Sequence, residues 1–467
     1  MRVHSISLKY LAEGDGPTFL HNRRQMPVGQ GGLHIGALKL FTSSDLEYVE
    51  PGFFGFATGI QAFGRADLRY VYDCGSEPKR LVNSGVKELR NACPDRRLDI
   101  LFLSHFDRDH MNGIPALLHK TKGFQVDTIV LPYLDTAARV AALARAFAQS
   151  GTFGGSVDRF SIDMIFDPGG TLAQFRPRQI LFIRSDDGDV PPDVDGGPEI
   201  RPGSGPEMRA ERDTEAINWL IKPAFPDDPQ RPLVLNMTAQ AASSSQIEVR
   251  NAAIVAHDPS WSLLWKFLPY VRTPDPAALA TFCTLVEGLF KWPAGSFALH
   301  IGDTGVRQKM VTKFREKMGA IYKSAFKDKN LGSMSLYSGL MDPDTVDALA
   351  HSPQLPTHDL TKIGWMGTGD AHLEKPVERG AFTSFYGSDI DHVAGFALPH
   401  HGAIKNSDPV NLVGDADTYI AAADPIHDWE HPHWSLRKAV YDRGSSFRHV
   451  RAWPATGFDE SFIISPK

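Results

Sequence analysis

Leu98-Asp99-Ile100-Leu101-Phe102-Leu103-Ser104-His105-Phe106-Asp107-Arg108-Asp109-His110-Met111-Asn112-Gly113 is the stretch that decides the reading of this chain. Its first six residues form a short, mostly apolar run of the kind that fills a buried strand. The run stops at Ser104-His105. His105 and Asp107 are two apart, so an extended backbone turns both side chains to one face. Asp109 and His110 follow where the chain must turn, ahead of a helix predicted over Ile114–Leu118. Four metal-capable side chains therefore converge just past a strand end, the usual place for a site in an α/β sheet. Aspartate offers a hard oxygen and histidine a borderline nitrogen. A charged loop with capping aspartates would not need ligands at this density.

Working outward, short apolar runs alternate with turn residues upstream: Val28-Gly29-Gln30-Gly31-Gly32, then Leu33–Leu40, then Leu68-Arg69-Tyr70-Val71-Tyr72-Asp73-Cys74-Gly75. These read as strands and tight turns. Downstream, Ala137–Gln149 is alanine-rich and helical. Ser185–Asp213 is dense in Asp, Pro and Gly; it cannot bury enough apolar area to offset ordering and reads as a mobile loop. Trp261–Ile321 is mostly helical in pattern, with apolar residues three and four apart. Four short apolar runs with β character follow, Met334–Leu340, Ile363–Met366, Val393–Leu398 and Thr418–Ala422. Strands at both ends and a helical, loop-rich middle predict an α/β (α+β) fold in which two β-rich halves are wrapped by helices, an αββα pattern.

Composition bounds the rest. The chain has 467 residues, 42% hydrophobic and 22% charged, enough for a core without disulfide staples. Cys74, Cys93 and Cys283 form no CxxC pair, which argues against a disulfide framework or a zinc ribbon and fits a reducing compartment. No apolar leader opens the sequence, and no run approaches the roughly 18 apolar residues of a membrane span, so a soluble, cytoplasmic protein with no membrane partner is expected. A net charge of −6 lacks the basic surplus of proteins that wrap nucleic-acid backbone. Arg96-Arg97 and Arg437-Lys438 read as solvated faces.

The segment His105-Phe106-Asp107-Arg108-Asp109-His110 resembles the HxHxDH signature of the metallo-β-lactamase superfamily, with Asp107 in place of the second histidine. In the form SHxDxDHxxG it is similar to the C-terminal nuclease-like domain of ComEC-type DNA-uptake proteins. Further islands follow in that family's order. Val28-Gly29-Gln30-Gly31 resembles its VGQG turn, and Asp73-Cys74-Gly75 its D-x-G strand end. Asn330-Leu331-Gly332-Ser333 resembles its N-x-x-S strand, Thr368-Gly369-Asp370 its TGD strand end, Leu398-Pro399-His400-His401-Gly402 its HHG loop, and His431-Pro432 its late HP motif.

The resemblance implies a four-layer αββα metallo-β-lactamase sandwich over residues 1–467, with helical and loop insertions at 137–213 and 259–329. It implies metal ligands His105, Asp107, Asp109, His110, Asp370 and His400, with one or two divalent ions, Zn2+ or Mn2+. Asp73, His401, Asn330 and Ser333 are expected behind them. Asp370 is preferred over Asp303 as bridging ligand because it precedes His400 by about thirty residues, a family-like interval; Asp303 reads as a cap or turn residue. Within His400-His401 the first is favoured as ligand and the second as support. The strand around Asn330 and Ser333 lacks the histidine usual in the superfamily, leaving an oxygen-rich first position of His105, Asp107 and Asp370 that suits manganese or weakly held zinc. The second position would take Asp109, His110, His400 and Asp370.

The implied activity is metal-dependent hydrolysis of a phosphodiester, possible nucleic acid included, with Asp109 orienting the attacking water. His431 has three open readings: contact to substrate phosphate, general acid, or loop anchor. The competing class is a non-catalytic or regulatory subunit, similar to the metallo-β-lactamase-like components that accompany proteases and large NTPases in bacterial anti-phage systems; the two insertions read as partner surfaces or as a lid over the site.

Overall fold

The computed structural model describes residues 18–41, 66–153, 158–185, 218–223, 234–239, 244–257, 264–272, 274–326, 332–351, 362–424 and 430–466. Among them the chain builds two mixed sheets. Strands β1 (Thr18–Gln25), β2 (His34–Phe41), β3 (Leu68–Tyr72), β4 (Arg97–Phe102), β5 (Gln125–Pro132) and β6 (Gln179–Arg184) enter the first sheet in succession. β7 (Asn218–Pro223) belongs to the second sheet, while β8 (Val234–Ala239) and β9 (Ser245–Arg250) return to the first. β10 (Ala252–His257), β11 (Trp265–Val271) and β12 (Met334–Leu340) lie in the second sheet, and β13 (Val346–His351) lies at an edge of the first. The second sheet then gains β14 (Gly364–Gly367), β15 (Val393–Ala397), β16 (Thr418–Ala422) and β17 (Ser446–Val450), and β18 (Phe458–Pro466) completes the first. The strand orders are β13-β18-β1-β2-β3-β4-β5-β6-β9-β8 and β17-β16-β15-β14-β12-β11-β10-β7.

Each sheet contains one parallel block, β3-β4-β5-β6-β9 in the first and β14-β15-β16-β17 in the second. Parallel neighbours need crossovers, and helices supply them. Lys79–Ala92 joins β3 to β4, Thr136–Phe153 begins the connection from β5 to β6, Pro376–Tyr386 follows β14, and Trp434–Asp442 precedes β17. β5 is buried at every position after Gln125, the continuous apolar run of a strand covered on both faces. The Lys79–Ala92 helix buries Val82, Val86 and Leu89, a stripe at helical spacing.

The apolar clusters show which faces meet. Tyr70, Ile100, Phe102 and Val130 of the first sheet share one cluster with Ile254, Phe267, Leu336 and Trp365 of the second. Leu101 and Ile129, on the other face of the first sheet, pack with Val86, Leu143 and Tyr322 from helices. Met366, Phe396 and Tyr419, on the other face of the second, pack with Phe382 and Leu436. At ~1.5–3 kcal/mol for each fully buried large apolar side chain, these three clusters are the main favourable term of the fold.

The expected strands Met334–Leu340 and Thr418–Ala422 are β12 and β16 residue for residue. The middle of the chain differs from expectation. Trp261–Ile321 does not read as helix from its start: Trp265–Val271 is β11, paired antiparallel with β12, and the helices begin only at Pro276. β11 is buried at all but one position, so it has no apolar–polar alternation to distinguish it from a helix turn. Stretch 137–213 likewise contains β6, paired parallel with β5, and stretch 259–329 contains β11. Residues 186–213 of the Asp/Pro/Gly-rich segment lie outside the described residues, as does Asn330. No described helix is long and apolar enough to cross a membrane.

Candidate metal centre

The site gathers where the parallel blocks of both sheets end. Asp73 follows β3, Ser104 to His110 follow β4, Asp370 follows β14, and His400 and His401 follow β15. All lie past carboxyl ends of strands, where backbone leaves the sheet and side chains can turn toward a common point. Backbone hydrogen bonds fasten these loops to each other. Gly32 N donates to the Asp109 carbonyl at 3.1 Å, Cys74 N to the His110 carbonyl at 2.8 Å, and His400 N to the Gly369 carbonyl at 2.8 Å. Ser333 Oγ accepts from Asp370 N at 2.9 Å, and Met334 N donates to the Ser104 carbonyl at 2.7 Å. Asp73, His400 and His401 all have positive φ, at 60°, 48° and 59°. Left-handed backbone at non-glycine residues costs on the order of 1–3 kcal/mol where strained, and here it falls on residues of the site.

Four histidines face this point, and the far nitrogen of each is engaged. His110 Nδ1 lies 2.7 Å from Asp73 Oδ2, a carboxylate that only accepts, so Nδ1 carries the proton. Ser104 Oγ gives its proton to the same carboxylate oxygen at 2.7 Å and therefore accepts from His105 Nδ1 at 2.8 Å. His401 Nδ1 donates to the Ala422 carbonyl at 2.8 Å. Asn406 donates its amide to the carbonyls of Asp370 and Ala371, which turns its Oδ1 to accept from His400 Nδ1 at 3.0 Å. With every Nδ1 committed as donor, four Nε2 lone pairs point inward. This is the outer arrangement that metal-ligating histidines need.

The inward atoms lie close together. Ligand atoms of His105, His110 and Asp370 form one group and those of Asp109, His110 and His401 another, each within 4.8 Å. The Nε2 atoms of these histidines lie 3.1–3.9 Å from the carboxylates. His401 Nε2 is 3.1 Å from Asp109 Oδ2. A lone pair and a carboxylate at that range repel unless a proton or a metal ion lies between them. Nε2 of His105 and of His110 are buried and make no hydrogen bond among the described residues. His400 Nε2 lies 3.8 Å from Asp370 Oδ2. Asp109 and His400 are half-buried and form the accessible side, whereas His105, His110 and Asp370 are buried.

Charge inside this cluster is strongly interdependent. Burial alone would lower the His105 imidazolium, but Asp370 and Asp107 outweigh it and raise its pKa well above the ordinary value. Burial would raise Asp370, but His400, His105 and Arg145 hold it well below the carboxylate range. Asp109 is likewise depressed against burial, by His110 and His401. His431, whose ring centroid is 5.3 Å from that of His400, is lowered to about 3 by burial and by the positive potential of His400 and His401. By themselves the carboxylates favour protonated rings at His105 and His110, His110 being raised by Asp73 and Asp109 against burial. A divalent cation would take the place of those protons.

The structure brings His105, Asp107, Asp109, His110, Asp370, His400 and His401 to one centre, with Asp73 and Ser333 behind them. Both histidines of the His400-His401 pair face it, His401 toward Asp109 and His400 toward Asp370. Asp303 caps the helix Thr304–Val311, accepting from Val306 N at 2.8 Å. Ser104, part of the motif in the sequence, holds the His105 ring, and Asn406, which no motif marks, holds that of His400. Nor does any motif mark Arg145. It is 3% exposed and donates to both Asp107 and Asp370. A signal existed: with Ala138, Ala141 and Ala142 it falls on the buried stripe of its helix, an odd place for a charge. No protein-family model matches the chain, and no curated protein matches its sequence.

Proposed function

We propose that this chain is a metal-dependent hydrolase on a four-layer αββα metallo-β-lactamase sandwich, acting on a phosphodiester. One observation carries the reading: four histidines with Nδ1 committed elsewhere turn their Nε2 atoms toward the same carboxylates. The layer order of helices, sheet, sheet and helices implied by the three apolar clusters supports the fold. The phosphodiester class follows from the motif resemblance, since the fold alone serves several hydrolytic reactions.

A divalent ion at this point supplies a water acidified to near neutrality and positive charge for the anion that develops on the substrate. The chain's own residues do the rest. Asp109, on the accessible side and deprotonated, accepts a hydrogen bond from the attacking water and orients it. His400 flanks Asp370 from the same side. His431 stays neutral beside His400, which suits a hydrogen bond to substrate rather than proton donation.

The test is hydrolysis of single- and double-stranded DNA, RNA and bis-p-nitrophenyl phosphate with manganese or zinc. Cleavage of at least one is expected, abolished by chelation. His110→Ala should lower it by more than about a hundredfold, beyond the usual cost of altering an outer partner of a ligand. Metal-loaded protein inert toward every phosphodiester sinks the hydrolase reading and favours a binding subunit.

A further inference from the structure

The centre offers two places for a cation, and the protein itself supplies the cation for one of them. His105 Nε2 lies 3.5 Å from Asp107 Oδ2 and 3.5 Å from Asp370 Oδ2, the triangle that a first metal ion would occupy. Those same two oxygens are the acceptors of Arg145, whose Nη1 donates to Asp107 Oδ2 and whose Nη2 donates to Asp370 Oδ2 at 3.1 Å. A guanidinium does not give up its charge in a protein, and its planar fork suits two carboxylates at once. Arg145 has little room to withdraw. It is 3% exposed, on a helix packed against Arg315–Phe326 in the same apolar cluster.

The second place is left to an ion. Asp109 Oδ2, His110 Nε2 and His401 Nε2 group there, and the other oxygen of Asp370, Oδ1, lies 3.8 Å from His110 Nε2. Asp370 thus divides its two oxygens, Oδ2 toward Arg145 and Oδ1 toward His110. Arg145 already lies on Asp107 Oδ2 and Asp370 Oδ2, so a divalent ion at the same two oxygens would face a fixed, buried guanidinium at close range, which is costly.

Resting on the metal-centre reading above, we propose that Arg145 is a permanent protein cation in the first position. The chain then binds a single divalent ion, at Asp109, His110 and His401, with Asp370 Oδ1 beside His110. Asp107 serves as the partner of Arg145, not as a metal ligand.

Equilibrium dialysis of the full chain against saturating manganese or zinc, followed by elemental analysis, decides the number of ions. One per chain is expected, with the electron paramagnetic resonance of bound manganese showing an isolated ion. Two per chain, or the exchange-coupled spectrum of a pair, overturns the role of Arg145 while leaving the metal centre intact. No bound ion overturns the metal centre itself. Asp107→Asn should still bind one ion, its affinity lowered by no more than the about 10- to 100-fold of an outer partner, whereas Asp109→Asn should weaken binding by more than about a hundredfold. Loss of the ion from folded Asp107→Asn also counts against the proposal; if that variant fails to fold, the wild-type ion count still decides.

Discussion

Asp73 shows how much of this centre depends on a side chain that lies behind its histidines. Its carboxylate takes Ser104 N, Ser104 Oγ and His110 Nδ1, each at 2.7 Å, and through Ser104 it also sets the His105 ring. One charge thereby fixes two imidazole tautomers. Its φ of 60° is a conformation that asparagine tolerates well, so Asp73→Asn alters the charge and leaves the backbone conformation accessible. The amide presents a donor where His110 Nδ1 and Ser104 Oγ both need an acceptor. Metal affinity should fall by about 10- to 100-fold, the usual range for an outer partner of a ligand. Competition against a chromogenic chelator measures it, and an unchanged affinity in a folded variant contradicts the tautomer argument.

At the scale of elements, the centre is an assembly of loops held in register by close backbone contact. Gly75 follows the β3 strand end, and a Cβ there would sit 2.5 Å from both the Asp109 carbonyl carbon and His110 N. Backbone cannot yield as a flexible side chain can, so Gly75→Ala must displace the ligand loop. We expect destabilisation of about 1–3 kcal/mol together with weakened metal binding. Gly288→Ala is the control: a Cβ there meets nothing within 4 Å, and the helix Pro276–Phe290 should gain about 0.5–1 kcal/mol. Equal melting temperatures for Gly75→Ala and wild type, with metal affinity retained, would refute the close-contact account. The same contrast explains what was legible in the sequence. The run from Ser104 to His110 announces itself because its metal-capable side chains are contiguous and follow an apolar strand. Arg145, Asn406 and the relative standing of His400 and His401 do not, because their roles exist only once β5, β14 and β15 bring distant loops together. β11 stayed hidden for a different reason, being buried on both faces and so without alternation.

For the whole molecule, the question is what keeps two sheets at the spacing the centre needs. Apolar packing between them is non-directional and tolerates small slips. A buried polar contact does not. Arg23 in β1 donates from Nε to Glu460 Oε2 of β18 at 2.6 Å, and from Nη1 to the carbonyls of Ile363 and Gly364 at 2.8 and 2.9 Å. Its guanidinium also lies 4.7 Å from the centre of the Phe462 ring. The first two strands belong to one sheet and Gly364 begins β14 of the other, whose far end leads to Asp370. Both ionic side chains are 1% exposed, so water cannot replace a lost partner. Glu460→Ala strands the Arg23 charge in the interior and should cost about 3–5 kcal/mol. The double variant Arg23→Met/Glu460→Met removes both charges and should be less destabilised than Glu460→Ala, its remaining loss coming from the unpaired carbonyls of Ile363 and Gly364. Urea denaturation of the three proteins at one metal concentration makes the comparison. A single variant within about 1 kcal/mol of wild type, the range of a solvent-exposed ion pair, would mean that apolar packing alone holds the sheets in place.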